Sequence, residues 1–457
     1  MARARARGWQ VALRNLLRNR RRNLATAAAI ALGYAGLVVL GGYATRIERF
    51  LRTNAVYLQH AGHVTVWLAG GFQRASAEPE KMQLDPVAQA KIFAAAARDP
   101  RIEFAARYLR GVGLAGNGCT TLPSRLLGLE PQALARIVGH PEVRAWSPEI
   151  AEPVAGRWIG VEAEAKNPSA VAAGLATLLG KPRVWAQTRG LPPAPTVIAC
   201  DTPAQKEQLA RDADVQLVSL TYDGTLNAID TEMVATFHAT ESLAEDGSMI
   251  ASLGTLQTLF STDRVTYVAL FLHRAEDARV VAAELTAALR GEGLAVEAFP
   301  YDDERANPYY VGTMAFLGSM VGFITVLVTM VLVLTVLGAM TLTILERARE
   351  IGTWRALGFR RRFMIALVVR EAFLLGVIGL GAGLLLGLAA ALAINAAGIR
   401  FAPPGVAGTI QLLIHPSVIG CAIQAALLLP GICAAAWIVV RGQVRRGVVD
   451  LLTAQSG

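Results

Sequence analysis

The sequence predicts an α-helical membrane protein with four transmembrane helices (1+3) and a large α+β extracytoplasmic domain between the first and second. Three observations predict it. Charge-free apolar runs fill 24–45 and 311–345, and further apolar runs occupy 372–399 and 417–440, each long enough to cross a bilayer as a helix. Residues 46–310 instead hold 25 Lys and Arg against 31 Asp and Glu, and are scattered with Pro, Gly and short strand-like runs. The basic excess behind the net charge of +9 lies beside the apolar runs and is Arg alone, because all five Lys fall in 46–310. Arg clustered on the short connecting segments sets orientation by the positive-inside rule, with both termini on the cytoplasmic side. A pI near 9.7 also fits a nucleic-acid binder. Charge placed against membrane spans makes the lipid bilayer the partner, with no nucleic acid.

The elements follow in order. Residues 1–23 carry eight Arg interrupted by Trp9, Val11, Leu13, Leu16 and Leu17, the pattern of an interfacial amphipathic helix. The first transmembrane helix and its stalk take 24–59. The apolar part is too long for a signal-peptide core, and Ala27, Ala31 and Ala35 give it a small-residue packing face. Ile47, Phe50, Leu51 and Val56 extend an apolar stripe into the stalk, which Gly62 ends before the alternating run HVTVW.

The extracytoplasmic α+β domain spans 60–310. Its clearest unit is 265–300: a strand at 265–272, a helix near 276–290, a turn at 291–293 and a strand at 294–298, a βαβ-like return. The stretch 130–210 reads as a variable insert. His60 and His63 lack a third ligand and read as structural. Cys119 and Cys200 share an oxidising compartment if the domain is external, and their pairing stays open at this stage. GLATLLGKP at 174–182 has five residues between its glycines and Pro182 where a P-loop needs Ser or Thr, so it is not a nucleotide site. Asp302, Asp303 and Glu304 read as a solvated charge run.

The second transmembrane helix is 311–345, where Gly318 and Gly322 permit close helix contact. A cytoplasmic coupling helix, 346–364, follows. The third transmembrane helix is 365–399, with Gly379, Gly383, Gly387 and Ala391 on one face and Arg370 and Glu371 as interface anchors near its start. An outer loop, 400–416, leads to the fourth transmembrane helix, 417–440, which contains Pro430. Cys421 and Cys433 there read as small core residues. The cytoplasmic tail is 441–457.

The coupling helix reads ERAREIGTWRALGFRRRFM. Ile351, Trp354 and Leu357 recur every three residues and share a face, six Arg accompany two Glu, and Gly358 falls at the C-cap position. This segment resembles the E-R-x-R-E-I-G-x-x-R-A-L-G coupling segment of the MacB/FtsX superfamily of ABC-transporter permeases, which includes the LolC/LolE lipoprotein-release subunits. QHAGHVTVW at the domain entry and DGTLNAID at 223–230 resemble the lipoprotein-release branch.

The resemblance implies a permease subunit that couples ATP hydrolysis by a separate ABC ATPase to movement of its periplasmic domain in the bacterial inner membrane. The chain then binds no cofactor itself, ATP and Mg²⁺ belong to the partner ATPase, and no catalytic or metal-binding residues are expected. Glu346, Arg347, Arg349, Glu350, Ile351, Trp354, Arg355, Leu357 and Gly358 would meet the ATPase. A second permease copy or a homologous permease completes the assembly. Lipoprotein cargo would enter sideways past Ile47, Phe50, Met314 and Phe316. The alternatives are MacB-like efflux with a periplasmic adaptor and an FtsX-like non-transport signal relay.

Overall fold

The computed structural model describes residues 2–18, 20–75, 77–162, 164–191, 200, 202, 207, 209–239, 244–346, 352–354, 356–357, 359–402 and 409–444. It divides into a helical unit (Met1–Glu48, Met314–Ile399, Gln411–Gly457) and a sheet unit (Arg49–Thr313, Arg400–Ile410). Four helices are long and apolar enough to cross a membrane: Asn23–Leu58, Pro308–Glu346, Arg361–Ala396 and Val418–Gly442. The architecture is the expected one, four apolar helices with a large α/β domain between the first and second.

Within the helical unit, two faces identified separately in the sequence meet each other. A Cβ on Gly379 would lie 2.7 Å from Ile30 Cγ2 and 3.2 Å from the Ala27 carbonyl oxygen; one on Gly383 would lie 2.6 Å from the Ala31 oxygen; one on Gly387 would lie 2.8 Å from Val38 and 3.2 Å from the Ala35 oxygen. The first and third apolar helices therefore touch backbone to backbone, as small residues allow in lipid. Around this seam Ile30, Tyr34, Leu37, Leu332, Val336, Ala372, Leu428 and Ile432 form a buried cluster drawn from all four helices. The Tyr34 hydroxyl donates to the Cys421 carbonyl at 2.8 Å. Gly318 and Gly322 do not behave as expected. Among the described residues nothing lies within 4 Å of a Cβ at either position, so the glycine face itself meets no other element there, although the neighbouring Leu317 is buried.

Two helix boundaries move for identifiable reasons. The second helix begins at Pro308 rather than 311, because Pro308 presets the first helical φ and the Asn307 carboxamide oxygen accepts the Tyr310 N–H at 3.1 Å. The third begins at Arg361 rather than 365. Residues 361–364 already have helical backbone, and no Gly or Pro separates them from the apolar run.

The sheet unit contains β1 (Val64–Leu68), β2 (Ile102–Gly116), β3 (Thr121–Leu129), β4 (Ala155–Gly156), β5 (Ser169–Ala172), β6 (Asp214–Leu220), β7 (Leu226–Phe237), β8 (Ser248–Ser252), β9 (Tyr267–Leu272) and β10 (Val296–Pro300). The βαβ return is present with an insertion. β9 and β10 run parallel, joined through helix Ala278–Gly291, but β1 lies between them and pairs antiparallel with both. β9 is buried along its whole length, YVALFL, as a central strand requires. The ladders also close on themselves. β2, β3, β8, β5, β7 and β6 pair in succession, and β6 returns to β2. β2 passes from β9, paired over 102–108, to β6, paired over 114–116, which leaves residues 109–113 unpaired with any strand on that side.

The first apolar helix ends inside this unit. Its last turn, Asn54–Leu58, is a π-helix with Val56 and Tyr57 buried. The Tyr57 ring stacks on Phe271 at 5.5 Å, and Phe271 on Phe104 at 4.3 Å. Gly62 adopts a φ of +66°, and a Cβ there would lie 2.9 Å from the Leu270 oxygen, so only glycine fits the turn into β1. Cys119 and Cys200 form a disulfide across 81 residues. In the chain-entropy view a loop of that length stabilises the fold by about 4–5 kcal/mol. Lys181 of the discounted P-loop look-alike is buried and ion-paired with Asp212, so its ammonium group already has a partner. Arg279 pairs with Asp302, and Arg305 with Asp303, each at 2.9 Å.

His60 and His63 are built into the sheet unit's core. The Tyr267 hydroxyl donates to the His60 carbonyl at 3.0 Å, and His63 Nδ1 accepts the Leu272 N–H at 3.0 Å. Burial pushes both imidazoles down to about 3, with Arg110 adding to the effect on His60 and Arg52 and His140 on His63. A base whose pKa is lower when folded binds more protons when unfolded. Stability is therefore complete above the unfolded value and is lost as pH falls from about 6.5 towards 3. At pH 5 the expected loss is about 2 kcal/mol per histidine. Thermal unfolding of the sheet unit followed from pH 7 to pH 5 should show this fall, and His60→Asn, which tolerates the local φ of +59°, should flatten it. Gly383→Val should destabilise the helical unit by about 1–3 kcal/mol through overpacking against Ala31, read as a lower Tm in detergent.

Candidate functional site

The segment between the second and third apolar helices is the best candidate for contact with a soluble partner. Glu346, Trp354 and Leu357 are described, whereas Arg347, Arg349, Glu350, Ile351, Arg355 and Gly358 lie outside the described residues. The Leu357 N–H donates to the Thr353 carbonyl at 3.0 Å, and the Phe359 N–H to the Trp354 carbonyl at 3.1 Å. These bonds form a compact turn, after which the third helix starts at Arg361.

Trp354 and Leu357 have different surroundings. Trp354 is half-buried and packs on a cluster of Ile344, Met364 and Val440, which come from the end of the second helix, the start of the third and the end of the fourth. Leu357 is 72% exposed. The expectation that both offer one apolar face to a partner thus divides: Trp354 braces the turn from inside, and Leu357 remains on the surface.

Sequence reasoning missed two residues that complete this surface. Phe359 and Phe363 are exposed, with ring centroids 5.6 Å apart, and Phe359 lies 6.5 Å from Trp354. Arg360, Arg361 and Arg362 between them are exposed. The four-residue spacing of the two Phe around an Arg triplet was the available signal. The result is an apolar patch with a cationic border, able to bury Leu and Phe side chains in a groove while the guanidinium groups reach carboxylates.

The N-terminal helix, Ala2–Arg18, is anchored on the third apolar helix. Trp9 meets Phe373 edge-on at 5.7 Å, Arg370 lies over the Trp9 ring at 5.6 Å, and Asn15 donates to the buried Glu371 carboxylate at 2.5 Å. Arg370 and Glu371 thus hold the N-terminal helix on the third apolar helix, a contact that differs from the membrane-interface role expected of them.

Of the residues proposed to line a lateral entry, Phe316 is 70% exposed, and Ile47 and Met314 are half-buried. Phe50 is 2% exposed and packs with Ile410, Leu51, Leu58 and Phe401. Its ring is occupied by the outer loop, so Phe50 lines no open surface in this conformation. Among the described residues no group of three or more His, Cys, Asp and Glu is placed to hold a metal ion.

Residues 321–445 match the family described as FtsX-like permease C-terminal. That span contains the candidate surface and most of the three C-terminal apolar helices. Among solved structures, the extracellular domain of the noncanonic ABC-type transporter YknZ from Gram-positive bacteria is 10% identical, covering 52% of this chain and 98% of that one with a TM-score of 0.30. The periplasmic region of MacB from Actinobacillus actinomycetemcomitans is 10% identical, covering 52% and 88% with a TM-score of 0.32. No curated protein matches the chain.

The two halves of the segment should respond differently to substitution. Trp354→Ala removes packing under the turn and should lower stability by about 1–3 kcal/mol. Leu357→Asp changes an exposed position and should stay within about 0.5 kcal/mol of the parent. Thermal unfolding of the two purified variants checks both.

Proposed function

We propose that this chain is the permease subunit of an ABC transporter, and that a separate ATPase subunit docks on the segment between its second and third apolar helices. The observation that carries this reading is an exposed patch of Leu357, Phe359 and Phe363 bordered by Arg360–Arg362, inside the stretch that matches the FtsX-like family. A catalytic role for the chain itself is not proposed; ATP and Mg²⁺ would be held by the partner.

The mechanism follows from how the helices end. ATPase closure would displace the turn at 352–360, and Trp354 would pass that displacement to the converging helix ends at Ile344, Met364 and Val440. The first apolar helix enters the sheet unit through the buried Tyr57–Phe271–Phe104 stack. The second leaves it through the Asn307 cap and the Tyr301–Tyr310 ring contact at 5.5 Å. Helix movement would therefore carry the sheet unit along rather than bend a loose linker. Two permease chains, identical or related, would act together on two ATPases. The disulfide supports placing the sheet unit on the oxidising, extracytoplasmic side, with the termini cytoplasmic in a bacterial inner membrane.

The cargo we propose is a lipoprotein, released from the outer leaflet. The support is the resemblance of 59–67 and 223–230 to the lipoprotein-release branch and the exposed apolar face of the second helix at Phe316 and Phe323. Purification of the tagged chain from its native membrane in mild detergent tests the whole reading. An ATPase together with a lipoprotein or a second permease is the expected outcome. An ATPase with a periplasmic adaptor would replace lipoprotein release by efflux, and no ATPase in an otherwise intact preparation would overturn the permease reading. Leu357→Asp combined with Arg349→Glu and Arg355→Glu should lower ATPase recovery by about tenfold or more, the effect of losing a central apolar anchor and two ion pairs, while membrane insertion is unchanged.

A further inference from the structure

The N-terminal helix, Ala2–Arg18, carries five Arg and no acidic residue, and the chain has no Asp or Glu before Glu48. Its contacts fix how it lies within the helical unit. Trp9 meets Phe373 and Arg370, and Asn15 meets Glu371. From Trp9 to Asn15 the N-terminal helix advances about 9 Å, whereas residues 371 and 373 lie about 3 Å apart along the third apolar helix. The N-terminal helix therefore runs across the third and not alongside it. The crossing falls at Glu371 and Ala372, where the charged start of the third helix gives way to its charge-free run. Leu16 belongs to the same buried cluster as Ile30, Ala372 and Leu375. A helix held across a membrane span at that level lies in the interface plane.

The sequence pattern gives this helix an apolar face for lipid, but the structure places much of that face on protein. Ala12 and Leu16 are buried, and Trp9 packs on Phe373. A second face remains. Leu13 and Leu17 are 48% and 66% exposed, and Arg14 and Arg18, each one position further on, are exposed as well. Positions four apart share a helix face and successive positions turn by about 100°, so a stripe of Leu runs beside a stripe of Arg. Arg20 and Arg21, at the start of the next helix, are also exposed. Among the described residues these four Arg form no ion pair. Leu24, which opens the first charge-free run, is 71% exposed, so exposed apolar surface continues from the helix onto the span. An acidic soluble partner would match the guanidinium groups but would leave the Leu stripe at membrane depth. Acyl chains below anionic phosphates match both stripes.

We infer that this second face binds anionic phospholipid, with Leu13 and Leu17 among the acyl chains and Arg14 and Arg18 on the headgroup phosphates. The helix thus holds the third helix through Trp9, Asn15 and Leu16 and selects the charge of the surrounding lipid through its other side. The inference requires the four apolar helices to span a bilayer, and it is independent of cargo and of ATPase docking.

The full chain is placed in phosphatidylcholine nanodiscs that contain a minor fraction of a photoreactive lipid. The probe is phosphatidylglycerol or phosphatidylcholine carrying the same diazirine near its headgroup, and label in peptides covering 9–21 is compared. The anionic probe should label them at least about fivefold more, the preference that one Arg near the surface supplies, and salt at about 1 M should reduce this preference. Arg14→Gln/Arg18→Gln should bring the two probes close to parity. Arg14→Lys/Arg18→Lys should keep the preference, because a point charge suffices for a phosphate. Arg20 and Arg21 stay in place to preserve orientation, and an unchanged Tm in phosphatidylcholine shows that each variant has folded. A photo-crosslinking residue in place of Leu17 should give lipid adducts in native membranes. Equal labelling of the parent by both probes, a preference undiminished in the Gln variant or lost in the Lys variant, or protein adducts replacing lipid ones at Leu17 would each overturn the inference. Nucleotide and ATPase are absent from the nanodiscs, so failure there leaves the permease reading to be judged separately.

Discussion

The helical unit depends on how closely the first and third apolar helices approach. In lipid there is no hydrophobic gain from pressing two apolar helices together; association rests on packing and on backbones coming near each other. Gly379, Gly383 and Gly387 permit that approach to Ala27, Ala31 and Ala35, and a side chain at Gly383 would collide with the Ala31 carbonyl oxygen while one at Gly379 or Gly387 would press on Ile30 or Val38. The seam fixes the third helix against the first. The N-terminal helix then docks on the third through Trp9 and Asn15, and the turn around Trp354 is braced by residues of the second, third and fourth.

The proposed coupling needs stiff connections at both ends of the moving parts. The first apolar helix does not stop at a flexible hinge. It tightens into a π-turn whose tyrosine lies in the aromatic core of the sheet unit. The second begins from a capped Asn–Pro pair next to the ion-paired carboxylates of 302–303. In the helical unit, the candidate docking turn combines a half-buried residue packed on three helix ends, Trp354, with exposed residues, Leu357, Phe359 and Phe363. The turn therefore has an exposed apolar face and an inner face packed on the ends of three helices.

Much of this was legible because it is local. Length and apolarity gave the four helices, four-residue spacing gave both small-residue faces, and a short apolar run followed by an Ala-rich stretch gave β9 and its crossover helix. Non-local features were not legible. Nothing in the sequence near 265–300 shows that β1, two hundred residues earlier, inserts between β9 and β10, or that β6 returns to β2. Gly318 and Gly322 show the converse failure: their spacing matches a packing face, but spacing does not say whether a partner helix is present. Phe50 reads equally as stalk packing or as a mouth residue, since the sequence does not show that Phe401 and Ile410 of the outer loop pack on it. At the candidate docking turn, the Arg-rich pattern drew attention to charge and away from Phe359 and Phe363.

The central claim is that nucleotide-driven movement at the docking turn displaces the sheet unit. The most direct measurement is the spacing between sheet units in an assembly purified with its ATPase, using a nitroxide-bearing residue at exposed Val280 and pulsed electron resonance with and without ATP. The account predicts a distance distribution that shifts when ATP binds and returns after hydrolysis. An unchanged distribution, with the ATPase bound and turning over, would contradict it.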